Sequence, residues 1–297
     1  MNNIDVIDLF CGCGGFSEGA KQAGARVILA VDIWEEALRI HRQNHSDTEH
    51  WNRDVGEDGF ASSIKDFIMQ HRTQNRDKSN ARNIHIHASP PCQDFSQMGI
   101  KQDISRGIHL YDCTVAMCME MWSSGIVSSY SIENVHSKTL VSKHGCTTYN
   151  FSKFGVPQTR RRSLILKNVN LDDVTVPIPS VREIIQHYYP HIDLDRQRLR
   201  ACVRKTTFLD RNTIVFKGLS CSRDINGPCY TITCNPQRLI DVDDFSVTYM
   251  NNIGVNAEIQ TFPRDYNWAG VTKANVFSMI GNAVPPSVSK IIICNIH

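Results

Sequence analysis

The sequence predicts an α/β domain with a parallel sheet, joined to a smaller domain that lacks this pattern. Short aliphatic runs typical of buried strands alternate with segments of helical periodicity from the N-terminus to about Ile132. The first run leads directly into a glycine-rich turn, which is common where a strand passes into a helix. From about Val174 to Met250 the alternation is lost, and Pro177 and Pro179 interrupt the chain. We therefore expect an α/β domain and a second domain within one chain.

The first predicted strand, Val6–Phe10, is followed by a turn that contains Gly12, Gly14 and Gly15, and then by a helix. Glycine lets the backbone adopt positive-φ conformations and approach a ligand closely at the start of a helix. A cofactor is the predicted occupant, although the same turn would suit any strand-to-helix connection.

The second predicted strand, Val27–Val31, ends in Asp32. In dinucleotide-binding folds an acid about 20 residues after the glycine turn binds ribose hydroxyls. Asp32 lies 17 residues after Gly15, so the spacing indicates a nucleoside-containing cofactor.

Three further elements continue the alternation: a helix over Glu35–Asn44, a strand over Trp51–Val55 and a helix over Phe60–Arg72. The strand would bring Asp54 to the same sheet edge as Asp32. A turn aspartate is the alternative interpretation of Asp54.

The fourth predicted strand, Ile84–Ala88, leads into a stiff turn that contains a candidate nucleophile. Pro90 and Pro91 fix their φ angles near −65° and keep the preceding residues extended, so the strand ends there. Cys92 would then emerge at the sheet edge in a defined direction, which suits a reactive thiol. A buried structural cysteine is the alternative, because free cysteine is often buried.

The segment Gln93–Gly107 is polar and could close over a substrate as a lid, or form an ordinary surface loop. After a helix over Leu110–Trp122, the strand Val127–Ile132 would bring Glu133 to the same edge as Cys92.

Three adjacent arginines precede the predicted strand Ser163–Leu166. Such runs usually form solvated surface, but alternation along a strand would send Arg160 and Arg162 to one side and Arg161 to the other. A paired cationic fork is therefore an alternative to a solvated surface.

Composition excludes several classes of protein. The chain has 297 residues, of which 41% are hydrophobic and 21% charged, as in ordinary globular proteins. No apolar run is expected to span a membrane and no signal peptide is evident, so an intracellular protein is expected. Eleven cysteines without a Cys-x-x-Cys pair argue against a disulfide framework and a structural zinc site.

The formal net charge of +2 is too small to indicate a polyanion partner, so any such surface must be local. Between Val181 and Lys217, eight basic residues outnumber four acids, and Tyr188, Tyr189 and Phe208 are interspersed. This pattern suits a nucleic-acid groove, although a solvated charged face would look similar.

Five motifs, taken in order, resemble those of the DNA (cytosine-5) methyltransferases. They are Asp8-Leu9-Phe10-x-Gly-x-Gly-Gly, Pro91-Cys92-Gln93, Glu133-Asn134-Val135, Gln158-x-Arg160-x-Arg162 and Gly281-Asn282-Ala283-Val284-Pro285. The resemblance covers about residues 5 to 167 and 258 to 290. It implies a Rossmann-like, S-adenosylmethionine-dependent methyltransferase sheet with a small, irregular target-recognition domain. The catalytic domain would comprise residues 1–174 and 251–297, and the target-recognition domain residues 175–250.

The resemblance implies methyl transfer from S-adenosylmethionine to C5 of a flipped-out cytosine in a specific duplex DNA sequence. Because C5 is a poor nucleophile, Cys92 would first add to C6 as a thiolate and form a covalent intermediate. Glu133 would engage N3 and the exocyclic amine of the base. Arg160 and Arg162 would help to hold the base O2 and the surroundings of the nucleophile.

The resemblance also implies a cofactor site and partners. The residues that would hold S-adenosylmethionine are Phe10, Gly12, Gly14, Gly15, Asp32, Ile33, Trp34, Asp54, Val55, Asn282 and Ala283. The implied partner is double-stranded DNA, with no metal and no membrane. We expect a cytoplasmic monomer from a bacterial, phage or viral context, and a companion restriction endonuclease would fit a restriction-modification role.

Two alternatives and one departure from the family pattern stay open. A transfer-RNA cytosine-5 methyltransferase would carry the same catalytic residues, but the chain lacks the Cys-Phe-Thr tripeptide of that branch. A catalytically silent DNA-binding homologue would have lost part of the motif set, which here is complete. The departure is Gly254-Val255, where the family usually carries an Arg-Glu pair, so the packing and the activity that depend on this segment are open.

Overall fold

The computed structural model describes residues 3–74, 82–91, 104–200, 222–234, 238–241, 243 and 247–297. It divides into two compact units. The first unit consists of Met1–Tyr149, Arg161–Val174 and Val284–His297, and the second of Asn150–Arg160 and Thr175–Ala283. The assignment of residues 1–174 and 251–297 to catalysis and 175–250 to target recognition stays a prediction.

The first unit is built on a seven-stranded sheet with the order β3-β2-β1-β4-β5-β8-β6. Its strands are β1 Ile4–Leu9, β2 Arg26–Asp32, β3 Glu49–Asn52, β4 Asn83–Ala88, β5 Ser129–Val135, β6 Thr147–Asn150 and β8 Arg161–Lys167. Strands β1 to β5 pair in parallel, and β8 pairs antiparallel with β5. The predicted α/β class is confirmed.

Helices connect the strands of this sheet. In the described residues they are α1 Gly15–Gln22, α2 Glu35–Asn44, α3 Phe60–Gln74, α4 Ile104–Ser123, α5 Lys138–His144 and, near the C-terminus, α9 Pro286–Cys294. The chain leaves β1 in one direction to form β2 and β3, then crosses back to form β4 and β5 on the other side of β1. Ligands of open α/β sheets bind at the carboxyl edge where the strand order reverses in this way.

The buried strands explain why the sheet forms the core. Ile7, Leu9, Leu29, Ile86 and Ile132 have no exposed surface, and they belong to one continuous apolar cluster. Each fully buried aliphatic side chain stabilises the fold by about 1.5–3 kcal/mol. This cluster fixes the positions at which the strands end.

Two boundaries near the sheet edge differ from the predicted ones. Strand β3 ends at Asn52, so Asp54 and Val55 lie beyond the strand and not within it. Helix α4 begins at Ile104, within the segment predicted to be a loop or lid. The remainder of that predicted lid, residues 93–103, lies outside the described residues.

The second unit contains a small antiparallel sheet with the order β10-β9-β12-β13 and a separate parallel pair of β7 with β11. The strands are β7 Gln158–Thr159, β9 Gln197–Arg200, β10 Ser222–Asp224, β11 Cys229–Tyr230, β12 Arg238–Asp241 and β13 Val247–Tyr249. Its described α-helices are α6 Val181–Tyr188, α7 Ile253–Ile259 and α8 Lys273–Asn282. Short 3-10 helices cover Phe151–Lys153 and Leu194–Arg196.

Packing of α7 against α6 accounts for the departure at Gly254-Val255. A side chain at Gly254 would overlap the ring of Tyr188, and Val255 is fully buried. An arginine–glutamate pair at these two positions would require the Tyr188 side chain to move and would bury a charge at the position of Val255. The local packing therefore uses Gly254 as a contact surface for Tyr188.

One described stretch corrects the expectation that no apolar run could span a membrane. Lys273–Cys294 is long and apolar enough by length and composition, with a mean hydropathy of 1.3, but 67% of it is buried. It consists of α8, which ends at Asn282, and α9, which begins at Pro286. Buried core helices pass the same test, so the stretch is weak evidence for a membrane span.

Candidate active site

The carboxyl ends of β1, β2, β4 and β5 meet at one edge of the first unit. The glycine-rich turn follows β1, Asp32 ends β2, Ser89 and Pro90 follow β4, and Glu133 lies near the end of β5. These strands pair in parallel, so their carboxyl ends lie at the same edge. The candidate site is the edge where these groups collect.

The turn after β1 is held in an unusual conformation. Phe10, Gly12 and Gly14 have φ angles of 58°, 52° and 96°. A phenylalanine at positive φ is a strained outlier, and such outliers persist at sites where the surroundings fix them. A Cβ placed on Gly12 would meet nothing within 4 Å, so the turn borders open space. The turn therefore offers its backbone to a ligand.

Asp32 holds this turn in place. Its Oδ2 accepts a hydrogen bond from Gly12 N at 2.7 Å, and its Oδ1 accepts one from Trp34 N at 2.8 Å. Burial raises the pKa of Asp32, and these backbone hydrogen bonds act in the opposite direction. The neighbouring Ile33 is 69% exposed, although it is a large apolar residue. The hydrogen bonds of Asp32 with Gly12 N and Trp34 N are structural contacts that the sequence interpretation did not include.

Asp54 lies in a turn beyond β3. Its Oδ1 accepts a hydrogen bond from Gly56 N at 2.8 Å, which is the local contact of a turn aspartate. Val55 packs partly buried against the core of the first unit. The predicted cofactor contacts of Asp54 and Val55 stay predictions.

A buried acid lies beneath the glycine-rich turn. Asp8 is 1% exposed, and its Oδ2 accepts a hydrogen bond from Ser17 Oγ at 2.7 Å. In the described part of the chain, Asp8 Oδ1 has no hydrogen-bond partner. Burial raises the pKa of Asp8 to about 7. Ser17 Oγ also lies 2.9 Å from His41 Nε2, and His41 Nδ1 lies 2.8 Å from His50 Nε2.

Glu133 and Arg162 form an ion pair at the end of β5. Arg162 Nε lies 2.9 Å from Glu133 Oε1, and the two side chains are 13% and 9% exposed. The antiparallel register pairs Arg162 with Val135, two residues from Glu133, which is within diagonal reach of long side chains. The pair fixes the direction of a nearly buried carboxyl group.

The exit of β4 is tied to the strands on both sides. Ser89 N donates a hydrogen bond to Leu9 O at 3.2 Å, and Asn134 Nδ2 donates one to Pro90 O at 3.0 Å. These contacts hold the proline turn between the ends of β1 and β5. The predicted nucleophile, Cys92, lies outside the described residues.

The burial of the three arginines follows the predicted alternation, because Arg161 is exposed whereas Arg160 is buried and the Arg162 side chain is only 13% exposed. Strand β8 begins at Arg161, so Arg160 precedes the strand and belongs to the second unit. There Arg160 is 1% exposed, and its guanidinium donates to the carbonyl oxygens of Ile232 at 3.0 Å, Gly281 at 3.0 Å and Ala283 at 3.1 Å. The catalytic roles of Arg160 and Arg162 stay predictions.

Gln158 and Gln260 support the same segment of the second unit. Gln158 Nε2 donates to Gln260 Oε1 at 2.6 Å, and Gln260 Nε2 donates to Ala283 O at 2.7 Å. A side chain on Gly281 would overlap the backbone of Thr233. Asn282 is exposed. The Gly281–Ala283 motif is therefore held through its backbone.

Groups of three or more residues that could bind a metal ion are absent from the described residues.

Sequence reasoning missed the contacts of two buried histidines of β4, His85 and His87, with serines of β5. The alternation of aliphatic and polar residues in β4 was interpreted only as evidence for a strand. Their pairing with serines depends on β5, which lies more than 40 residues away in the sequence.

Comparison with known proteins decides the family. Residues 4–111 match the model of the C-5 cytosine-specific DNA methylases. The Type II methyltransferase M.HgiGI of Herpetosiphon aurantiacus is 37% identical over 101 residues, which are 34% of this chain and 68% of that protein. The chain belongs to the C-5 cytosine-specific DNA methylase family.

Similarity to this family extends over nearly the whole methyltransferase. The Type II methyltransferase M.HindV of Haemophilus influenzae is 27% identical over 317 residues, covering 97% of this chain and 95% of that protein. A crystal structure of a prophage-encoded protein of E. coli matches with a TM-score of 0.63 and 22% identity, covering 98% of both chains. The fold and the enzyme class predicted from the motifs are confirmed, and the class implies S-adenosylmethionine as cofactor.

Proposed function

We propose that this methyltransferase transfers a methyl group from S-adenosylmethionine to C5 of a flipped-out cytosine in a specific duplex DNA sequence, through a covalent bond between Cys92 Sγ and C6. The observation that carries the proposal is the Glu133–Arg162 pair. It holds a nearly buried carboxyl group at the sheet edge that also bears the glycine-rich turn and the proline turn before Cys92.

The chemistry requires both a nucleophile and an acid. Addition of the Cys92 thiolate to C6 forms the sulfur–carbon bond and moves electron density toward N3 and C5, so that C5 becomes nucleophilic. A proton held by Glu133 at N3 stabilises this charge, and Arg162 orients that carboxyl group. S-adenosylmethionine supplies an electrophilic methyl group when bound. Loss of the C5 proton then allows Cys92 to leave as a thiolate.

The base must leave the helix before it reacts. Because C6 is stacked within duplex DNA, the cytosine is flipped out at a cost of a few kcal/mol, offset by contacts in the pocket. Arg162 remains at the Glu133 edge and is the arginine we assign to the base O2. Arg160 acts indirectly, through its hydrogen bonds to the carbonyl groups of Gly281 and Ala283.

The cofactor site fits the residues that are present. The positive-φ turn at Phe10, Gly12 and Gly14 borders open space, and Ile33 exposes an apolar surface beside Asp32. A nucleoside needs such a combination, because its base is apolar on its faces and its ribose carries hydroxyls. The other residues that we assign to this site are Gly15, Trp34, Asp54, Val55, Asn282 and Ala283.

Replacing Ile33 with alanine is expected to weaken S-adenosylmethionine binding by about 10-fold, because an apolar contact of about 1–1.5 kcal/mol is removed. Thermal stability is expected to stay nearly unchanged, since Ile33 is 69% exposed. Isothermal titration calorimetry measures the affinity. The matched control is Met69→Ala, which removes an apolar side chain that is 53% exposed on α3. Equal affinities of Ile33→Ala and the parent protein would contradict the assignment.

The second unit supplies target recognition in this proposal. Residues 181–217, within this unit, contain eight basic and four acidic side chains, and Arg223 lies over the ring of Tyr230 at 4.2 Å from its centroid. Basic side chains hold phosphates, and side chains in the groove read base edges. We further propose a cytoplasmic monomer in a bacterial, phage or viral setting, and the Type II names of the bacterial relatives support a restriction-modification role with a companion endonuclease.

A covalent trap tests the proposed function. Bisulfite sequencing of DNA from cells expressing the chain first identifies the methylated sequence. Duplex DNA with 5-fluorocytosine at that position is then incubated with the protein and S-adenosylmethionine, and a complex that survives denaturing electrophoresis is expected. Cys92→Ser is expected to give no complex, whereas Cys113→Ser, which changes an exposed cysteine on α4, is expected to give as much as the parent. Methylation of transfer RNA but not of DNA, or full activity of Cys92→Ser, would overturn the proposal.

A further inference from the structure

Two neighbouring strands of the first unit contain a continuous hydrogen-bonded chain of serine and histidine side chains. Ser129 Oγ lies 2.8 Å from His85 Nδ1, and His85 Nε2 lies 2.9 Å from Ser131 Oγ. Ser131 Oγ lies 2.8 Å from His87 Nδ1, and His87 Nε2 lies 2.7 Å from Ser89 Oγ. The chain spans roughly 13 Å, because it follows β4 over four residues.

Strand register explains why the chain forms. In the parallel pairing of β4 with β5, His85 is opposite Ser129 and His87 is opposite Ser131. Side chains two residues apart share a face of the sheet, so the four groups form one row. Phe16, at the start of α1, covers this row, with its ring stacked 3.6 Å from the His87 ring.

Both imidazoles are neutral. His85, His87, Ser129 and Ser131 have no exposed surface. Burial lowers the pKa of His85 to about 3 and that of His87 well below its ordinary value. A neutral imidazole has one N–H donor and one acceptor nitrogen, so each ring must donate at one end and accept at the other.

The buried end of the chain fixes the direction of every hydrogen bond. Within the described residues, the Ser129 hydroxyl has no partner other than His85 Nδ1, and an unpaired buried donor costs more than an unfilled acceptor. Ser129 therefore donates to His85 Nδ1, and His85 Nε2–H donates to Ser131. Ser131 then donates to His87 Nδ1, and His87 Nε2–H donates to Ser89. Both rings carry their proton on Nε2.

Ser89 is the point at which this chain reaches the candidate site. Its Oγ accepts from His87, so its own O–H remains available as a donor. Its backbone N donates to Leu9 O, and the following Pro90 accepts from Asn134. Ser89 is half-buried, at the edge between the glycine-rich turn and Glu133. A hydroxyl that already accepts a hydrogen bond is a stronger donor.

We propose that Ser89 is a further functional residue, a hydroxyl fixed as a hydrogen-bond donor toward an anionic acceptor in the active site, and that His87, Ser131, His85 and Ser129 are positioning residues acting through it. The acceptor is a carboxylate, that of the cofactor's amino-acid part, because Ser89 N is bonded to Leu9 at the start of the glycine-rich turn. The assignment of the acceptor rests on the proposed function, whereas the direction of the hydrogen bonds between the serines and histidines does not.

Nitrogen-15 NMR of the imidazoles tests the direction of the chain without any catalytic readout. His85 and His87 are expected to show a protonated Nε2 and an unprotonated Nδ1 from pH 6 to pH 8. Each signal is assigned by loss of that resonance in His85→Gln or His87→Gln. A ring with its proton on Nδ1, or an imidazolium in this range, would overturn the proposal. Failure of the covalent trap with Cys92 would not affect this result.

Kinetics of variants test the role of Ser89. Ser89→Ala is expected to lower the methylation rate at saturating DNA and limiting cofactor by about 10- to 100-fold, the usual effect of removing a hydrogen bond to a charged group. His87→Met, which removes the donor to Ser89, is expected to lower it similarly, and His87→Gln to restore most of it by donating from its amide nitrogen. The double variant Ser89→Ala with His87→Met is expected to be no slower than either single variant. Additive losses in the double variant would contradict the proposal that His87 acts through Ser89.

Binding measurements on Ser89→Ala test the acceptor. Binding of S-adenosylhomocysteine is expected to weaken, whereas binding of methylthioadenosine, which lacks the amino-acid part, is expected to stay unchanged. Ser128→Ala is the matched control, because this serine just before β5 bonds to Asn83 and lies outside the row of serines and histidines. Equal weakening for both ligands, or no change for either, would overturn the donor role of Ser89.

Discussion

Replacing Glu133 with glutamine is expected to lower the rate of cytosine methylation by about 100- to 10,000-fold, which is the usual contribution of a positioned acid–base group. Glutamine has nearly the same shape and keeps an oxygen atom beside Arg162 Nε, which lies 2.9 Å from Glu133 Oε1. It cannot exchange a proton with N3 of the cytosine while negative charge develops on the ring. The measurement is transfer of labelled methyl groups to duplex DNA at saturating cofactor.

A matched control separates this effect from the loss of an ion pair. Glu120 on α4 also forms an ion pair, with Lys65, but it is 61% exposed. Glu120→Gln is expected to retain the parent rate, because exposed ion pairs contribute about 0–1 kcal/mol to stability. Equal rates for Glu133→Gln and Glu120→Gln would exclude Glu133 as the acid.

Lowering the pH from 7 to 5 is expected to remove about 4 kcal/mol of folding free energy through two buried histidines, His45 and His85. Burial lowers the pKa of each to about 3, from an ordinary value of 6.5. The unfolded chain therefore binds protons below pH 6.5 that the folded chain does not bind until about pH 3, so stability falls as the pH falls. Each histidine contributes about 2 kcal/mol at pH 5.

Asp8 has the opposite effect on how the folding free energy depends on pH. Burial raises its pKa from 3.8 to about 7, so the folded chain holds a proton that the unfolded chain has lost. Stability through Asp8 therefore falls as the pH rises from 3.8 to 7, and lowering the pH from 7 to 5 restores about 2 kcal/mol. Asp8 therefore offsets about half of the loss that His45 and His85 cause.

Urea unfolding at pH 7 and pH 5 measures the histidine contribution. The loss between the two pH values is expected to be about 2 kcal/mol smaller in His45→Gln than in the parent protein. In Asp8→Asn it is expected to be about 2 kcal/mol larger. His297→Gln, at the exposed C-terminal residue, is the control and is expected to show the parent's pH dependence. The same loss in all four proteins would contradict the assignment.

Local sequence patterns were sufficient to predict strands and helices of the first unit. The aliphatic runs before Asp32 and Cys92 predicted β2 and β4, because a strand buried on both faces must be apolar or must pair its polar groups. The helix predicted over Glu35–Asn44 has those bounds in the structure. The order of the strands was not predicted, since it depends on contacts between residues that are distant in the sequence.

The arginines show what a local pattern leaves out. Alternation set Arg161 apart from Arg160 and Arg162, and of the three only Arg161 is exposed, although β8 begins only at Arg161. The pattern did not predict the partners of Arg160, which are carbonyl groups of Ile232 and Gly281, 72 and 121 residues further along. A pattern within five residues cannot predict hydrogen bonds to residues that are so far away in the sequence.

The sequence by itself determined the α/β class and the family and predicted the reactive groups, because each depends on residue types at short, fixed spacings. Only the tertiary structure decided which groups touch. The pairing of Glu133 with Arg162, the burial of Asp8 and the serine–histidine row across β4 and β5 arise from strand register. Register is set by the packing of the whole core, and so is the direction of each hydrogen bond that depends on it.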